Sequence, residues 1–430
     1  MSRASTDPPA RHAPHNTPPE RRSARRIAPA VLLSLSLLIA SPVTAAPHPH
    51  PEADASVIST WNEIAITTIT AAGVSPAAFN YFAFVHLAMY NAVVAITGEY
   101  ELYKWNGVAP KVASPEAAAA AAAHRVLENY FGDSAARDIQ LAASLANVRN
   151  PVARANGEAF GVLAANHIIG LRVGDGRHAS VTVPVADAPG EWSPTPPGFA
   201  AFGTAWLGGV TPLAVTSTTQ FAPGAPPALD SPQYLADLAE VQAIGEVGSP
   251  RTTFQSETAK FFSDAGILPM QRALQELALR RGLDIDDSAR MFAAVETAIA
   301  DGAGTVWNAK LQYMLWRPVT AIHAAGVTGG TSFITNPPYP DWPSGLCSVV
   351  GATSMVLERL YGTVDLKITS GVVGAGPQPR HYVDRATINE DAGNARVWSG
   401  IHFRFADTAG ANVGTNVANY VVDNYFQPAD

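Results

Sequence analysis

Apolar positions along this chain recur mostly at helical spacing. Val57, Trp61 and Ile64 fall at i, i+4 and i+7, one face of a helix. Phe79, Phe82, Val85, Met89 and Val93 repeat the pattern after Ser75-Pro76, a pair that predicts a helix start. Serine followed by proline recurs at Ser114-Pro115 and Ser231-Pro232, with Asn150-Pro151 as the asparagine version; each predicts a cap with proline in the first turn. Gly132, Gly170 and Gly282 stand where those helices are expected to stop. The alanine run 117–123 reads as a tightly packed helix rather than low complexity. Strand-like alternation is scarce, and its best instance is residues 180–184. The expected fold class is all-α.

The helical pattern lapses between residues 183 and 228, where prolines crowd among Trp192, Phe199, Phe202 and Trp206. A flexible linker would not carry so many large aromatics, so an ordered loop packed over the helices is expected. It separates an N-terminal helical half from a C-terminal one.

Composition sharpens this picture. Of 430 residues, 47% are hydrophobic and 15% charged, so the chain can bury a large core and long disorder is excluded. One cysteine closes no disulfide and builds no thiolate zinc cage. With Asp+Glu 36 against Lys+Arg 28, the net charge of −8 argues against a nucleic-acid partner.

Arg21, Arg22, Arg25 and Arg26 precede an uncharged run over residues 27–40, and Val43-Thr44-Ala45-Ala46 follows. A basic stretch, a short apolar stretch and a small-residue end describe a signal peptide over residues 1–46. The run is shorter than the roughly 18 apolar residues of a membrane span, so no stable span is expected once it is removed. Residues 47–55 are expected to be a mobile N-terminal segment ahead of the folded domain, 56–430. The mature protein is expected to be secreted or periplasmic.

Three segments of the C-terminal half carry chemistry. In Lys310-x6-Arg317-Pro318, seven residues make about two helical turns, which would set both cations on one face of an apolar segment. Such a pair calls for an anion or carboxylate, unless the charges simply snorkel from a helix end. Pro343-Ser344-Gly345 reads as a helix start where free N–H groups, a hydroxyl and the positive helix end could meet an anion. An ordinary serine cap would have the same sequence. In Arg396-x5-His402, six residues separate the two on a helix, so they converge only if Arg396 lies in a turn before a helix beginning near Ser399. A histidine among Ile401, Phe403 and Phe405 is by itself an ordinary core residue. Together, three cations, a serine–glycine helix start and one histidine describe an oxyanion site with a nitrogen ligand.

These three segments, in this order and spacing, resemble the signature of the vanadium-dependent haloperoxidases and type-2 phosphatidic acid phosphatases. Residues 85–91, 316–322, 337–345 and 400–405 are similar to the bacterial exported haloperoxidase-like branch, so that the resemblance runs from about Val57 to Phe426. It implies a single large all-α domain of two helical bundles and vanadate as cofactor, with phosphate able to take the same site. It further implies His402 as the axial ligand of vanadium, or as the phosphorylated nucleophile of a phosphatase. Lys310, Arg317 and Arg396 would bind the equatorial oxygens, and Ser344 and the Gly345 N–H would complete the cradle. In the peroxidase version Lys310 polarises bound peroxide and a halide is oxidised to hypohalous acid. Small-molecule substrates are implied: halide and peroxide, or a phosphoester. An oligomer is compatible with all of this.

The chain departs from the family where Pro-Ser-Gly-His is expected, because Leu346 stands in the histidine position. Leucine neither accepts a proton from peroxide nor donates one to a leaving group. Oxyanion binding is expected to survive this better than turnover. The readings are therefore a haloperoxidase of weak or altered activity, an acid phosphatase acting on phosphomonoesters, or a catalytically weak oxyanion-binding relic. His323 and His381 are the candidates for a relocated base, each also readable as a surface histidine. Ala406 stands where an aspartate sometimes follows the ligand, with Asp407 next to it.

Overall fold

Local capping chemistry sets the N-terminal helices. A computed structural model describes residues 53–184, 186, 188–264, 268–327 and 330–429; the expected signal segment 1–46 and most of 47–55 lie outside the described residues. Helices α1 (Ser56–Ala71), α2 (Ala78–Thr97), α3 (Pro115–Phe131), α4 (Ala135–Ala146) and α5 (Pro151–Leu171) come first. The Ser114 side chain accepts from the Ala117 N–H, and Asn150 accepts from Val152 and Ala153, as the cap pairs predict. Gly132 follows α3 in a positive-φ conformation. Gly170 does not end its helix, because α5 continues to Leu171 and closes at Arg172. Ser75-Pro76 belongs to the turn before α2, and Ala77 takes the cap position. The alanines 117–123 are buried and admit α5 closely: a Cβ on Gly161 would lie 2.1 Å from the Ala118 carbonyl oxygen. Small residues on both helices thus bring the two backbones together.

The second half supplies α6 (Pro232–Ile244), α7 (Thr253–Phe261), α8 (Leu268–Arg281), α9 (Ile285–Tyr313), α10 (Pro318–Ala324), α11 (Gly345–Tyr361), α12 (Arg385–Trp398) and α13 (Arg404–Asn424). Helices α1, α2, α3 and α5 pack as one bundle; α9, α11, α12 and α13 pack as another. α2 joins them by lying against α9, so one apolar core runs through both. α2 is apolar and long enough to cross a membrane, but 89% of its apolar window is buried inside the protein. The fold is all-α in two helical bundles, as expected.

Residues 180–184 form no strand. Val181 and Val183 instead pack on the core as half-buried side chains, and among the described residues they pair with no strand. Among the described residues the one sheet is β1 (Leu366–Ile368) antiparallel to β2 (Arg380–Tyr382), with Leu366 opposite Tyr382.

The described part of the proline-rich loop is strapped to the helices. Trp192, Phe202 and Leu207 are buried, whereas Phe199 is exposed. The Asp301 carboxylate on α9 accepts three loop N–H groups, from Leu213, Ala214 and Val215, at 2.6, 2.7 and 2.9 Å. Further along, the Trp192 N–H donates to the Met314 carbonyl and the Trp316 N–H to that of Gly190. The Gly203 N–H reaches the Pro338 carbonyl, and Trp342 Nε1 that of Gly224. The loop therefore clamps the two segments in which Lys310, Arg317 and Ser344 lie.

Candidate oxyanion site

Lys310 and Arg317 converge, but not on one helical face. Met314 adopts φ 44° and closes α9, and Arg317 is the residue capping α10, with Pro318 in its first turn. Proline disfavours helical backbone at the residue before it, so the expected continuous helix breaks here. Both side chains are fully buried. Lys310 Nζ donates to the carbonyls of Pro340 (2.6 Å) and Asp341 (3.0 Å). Arg317 Nε donates to the Tyr339 carbonyl (2.8 Å), and its Nη1 to that of Ile401 (2.7 Å). The Tyr339 ring lies under both cations, 5.2 Å from Lys310 Nζ and 5.1 Å from the Arg317 guanidinium carbon.

Ser344 caps α11 by position only, since its hydroxyl makes no capping hydrogen bond. The ordinary serine cap is therefore not what this residue is. The Ser344 N–H donates to the Ala406 carbonyl (2.9 Å), and a Cβ on Gly410 would lie 2.2 Å from the Ser344 carbonyl oxygen. Close backbone contact with α13 thus fixes the start of α11, whose first N–H groups have no partner within the helix.

Arg396 sits in the last turn of α12, not in a turn before a helix near Ser399; Ser399 instead closes α12. Gly400 at φ 76° then reverses the chain and presents His402 ahead of α13. The two residues meet across a helix end, which spacing on a single helix could not show. The Arg396 guanidinium borders a cavity of about 350 Å³ together with Gly345 and Leu346, and its buried Nε has no partner. His402 is buried, with Nε2 3.1 Å from Arg317 Nη1 and Nδ1 2.8 Å from Asp341 Oδ1.

Two carboxylates accompany the cations. Asp341 is fully buried, 3.7 Å from Arg317 Nη1, and is a site residue that the sequence pattern does not single out. Its signal was a lone charge inside a run of prolines and aromatics. Asp407, in the first turn of α13, is also buried and accepts from Cys347 Sγ at 3.3 Å. Burial pushes the Asp341 carboxyl up to about 7, against the pull of Arg317 and Lys310, and raises that of Asp407 well above the usual carboxylate range. Burial, then the Arg317 charge, holds the Lys310 amine well below its ordinary value. His402 is likewise held down by burial and by Arg317, Lys310 and Arg396, so its imidazole is neutral at physiological pH. Arg317, Arg396 and a Lys310 amine whose charged form an anion would stabilise thus face two reluctant carboxylates, a set that suits an anion. Among the described residues no three His, Cys, Asp or Glu side chains gather as for a bare metal cation.

Leu346, in the first turn of α11, lines the cavity beside Arg396 and offers no titrating group there. Neither alternative base is at hand. The exposed His323 bonds the Gly330 carbonyl, and His381 on β2 pairs with Asp365 at 2.8 Å.

The fold of two helical bundles is one already seen among solved structures. One bacterial vanadium-dependent iodoperoxidase superposes with TM-score 0.73 at 26% identity, covering 87% of this chain and 96% of that one. A bacterial vanadium-dependent chloroperoxidase shares the fold at TM-score 0.65 and 14% identity, over 80% and 92% of the two chains. Residues 290–430 match the family described as the VCPO second helical-bundle domain. The vanadium chloroperoxidase of Curvularia inaequalis is 26% identical over a stretch covering 32% of this chain, and the match spans about a third (32%) of that relative's length. Residues 290–430 are thus similar to that family, and the fold as a whole is similar to that of solved vanadium haloperoxidases.

Proposed function

We propose that this is an exported, vanadate-binding haloperoxidase that oxidises halide with hydrogen peroxide, its turnover held low by Leu346. The observation that carries the reading is the convergence of Lys310, Arg317 and Arg396 on a neutral His402 beside the N-terminus of α11. Vanadate fits that donor set, because an imidazole nitrogen suits the metal while cations, a hydroxyl and helix N–H groups suit its oxygens. When bound, vanadate supplies a Lewis acid that activates hydrogen peroxide without changing its own oxidation state.

The chain's own residues do the rest. His402 would offer Nε2, the ring nitrogen facing Arg317 Nη1, while Nδ1 faces the Asp341 carboxyl group. Arg317, Arg396, Ser344 and the Gly345 N–H hold oxygens, and Lys310 places a donor where negative charge accumulates. These groups are fixed before substrate arrives, so little reorganisation is left to the reacting step. Leu346 leaves the proton of peroxide without an acceptor on that side, which limits rate rather than binding.

The test is bromide- and peroxide-dependent halogenation of a phenol dye with added vanadate. Slow, vanadate-dependent halogenation is expected, lost in His402→Ala, with calorimetric vanadate affinity lost in His402→Ala and weakened in Arg396→Ala. Unchanged affinity in folded His402→Ala overturns the ligand assignment. Vanadate-inhibited hydrolysis of nitrophenyl phosphate without halogenation selects the acid phosphatase. Vanadate binding with neither activity selects the relic, the reading that Leu346 itself favours.

A further inference from the structure

We propose that the cavity beside the cradle binds an apolar organic anion, with its hydrophobic body in the chamber and its charged group on Arg396; this rests on the oxyanion reading above. The chamber, about 350 Å³, lies between the corner joining α1 to α2 and the start of α11. That is the size of a small-molecule site, which typically spans roughly 300–1,000 Å³. Its wall is formed by Ile69, Val74, Phe79 and Phe262 on one side and by Leu346 and Val349 on the other. Leu346 and Val349 are three apart on α11 and so present one apolar stripe. Gly73 and Ser75 line the exposed rim, so the chamber is entered from solvent.

Among the described residues, charge in the chamber is confined to two side chains, Asp264 and Arg396. The Asp264 carboxylate is already held by Ser370 Oγ (2.7 Å) and the Gly371 N–H (2.9 Å). Arg396 has no such engagement at its buried Nε and stands where the chamber meets the cradle. An inorganic oxyanion needs the cradle alone and gains nothing from an apolar antechamber. A ligand with an aromatic or branched aliphatic body gains from both, by removing its own apolar surface and that of the wall from water. Leu346 then has a role that a missing base does not describe. It continues the apolar wall up to Arg396, at a place where an imidazole would interrupt it.

Phenylphosphonate, methylphosphonate, inorganic phosphate and vanadate, titrated calorimetrically into the full chain, test this. Phenylphosphonate is expected to bind at least about tenfold tighter than methylphosphonate, a factor well within burial of one ring. Phe79→Ala should shrink that ratio to about two without altering the affinity for inorganic phosphate, and Leu346→Asn should shrink it as well. Equal affinity for the two phosphonates, with phosphate or vanadate still bound, overturns the chamber and leaves the cradle standing. Binding of none of the four removes both. A phenyl preference that survives Phe79→Ala and Leu346→Asn in folded protein also overturns the assignment, because the body then sits elsewhere.

Discussion

Oδ1 of Asp341 lies 2.8 Å from Nδ1 of His402, and both side chains are closed off from solvent. The carboxyl group lies against the Nδ1 side of the imidazole and makes no hydrogen bond there, so it acts on the ring through its charge. Such outer partners of ligating histidines are typically worth about 10–100-fold in affinity. Asp341→Asn keeps the shape and removes the charge. Vanadate affinity by calorimetry is expected to fall at least about tenfold while circular dichroism stays unchanged. Unaltered affinity would mean that Ile401 and the backbone orient His402 unaided.

Lys310 has a structural duty beside any chemical one. Its ammonium serves the carbonyls of Pro340 and Asp341, and Lys310→Met would leave both buried oxygens without their donor. An unsatisfied buried acceptor costs about 1–3 kcal/mol. The urea midpoint of Lys310→Met should drop accordingly, together with vanadate affinity. A variant that loses affinity at full stability would assign Lys310 to the anion alone.

Ser344 should behave in the opposite way. Replacing a hydroxyl that caps a helix costs typically about 1 kcal/mol, but this one makes no cap bond. Ser344→Ala is expected to unfold at nearly the wild-type temperature and to bind vanadate several-fold more weakly. A clear loss of thermal stability with unchanged binding would restore the capping role.

Leu346→His puts a group titrating near neutral pH beside Arg396. General acid–base help contributes on the order of 10²–10⁴-fold, so halogenation should rise measurably, by about tenfold even if placement is imperfect. The gain should follow the ionisation of the new imidazole in a pH–rate profile. A folded, vanadate-loaded Leu346→His with no gain would show that proton transfer does not limit the rate.

Away from the site, Glu296 on α9 is wholly buried, with Gln271 Nε2 at 2.7 Å from its carboxylate. Burial lifts its carboxyl from 4.5 to about 8. Between those values the folded state holds a proton that the unfolded state has lost, so this group stabilises the fold below about pH 4.5 and the contribution fades as pH rises towards 8. Glu296→Gln, neutral at every pH, should flatten the decline by up to about 1.4 kcal/mol per pH unit. Urea unfolding at pH 5 and pH 8 checks this: parallel pH dependence in the two proteins would place the titration elsewhere.

The sequence was most readable where physics is local. Ser114-Pro115, Asn150-Pro151 and Ser231-Pro232 begin helices because cap and proline act within one turn. Lys310 and Arg317 were rightly brought together, but for an insufficient reason, since Met314 and Pro318 break the helix that was to align them. What gathers them is the 339–341 backbone, 22 to 31 residues downstream, whose successive carbonyls they divide between them. Asp341 stayed hidden because its partners, Arg317 and His402, are distant in sequence and no periodicity links them. Residues 180–184 misled in the other direction: alternation marks a half-buried segment, and only a partner edge makes it a strand.

The grip on Lys310 and Arg317 comes chiefly from peptide oxygens at positions 339, 340, 341 and 401. Every amino acid carries that same oxygen, so a substitution at 340 or 401 exchanges a side chain and leaves the handhold in place. Descendants of this chain can therefore rewrite the lining of the site, and with it the choice of reactant, while inheriting the charged framework intact.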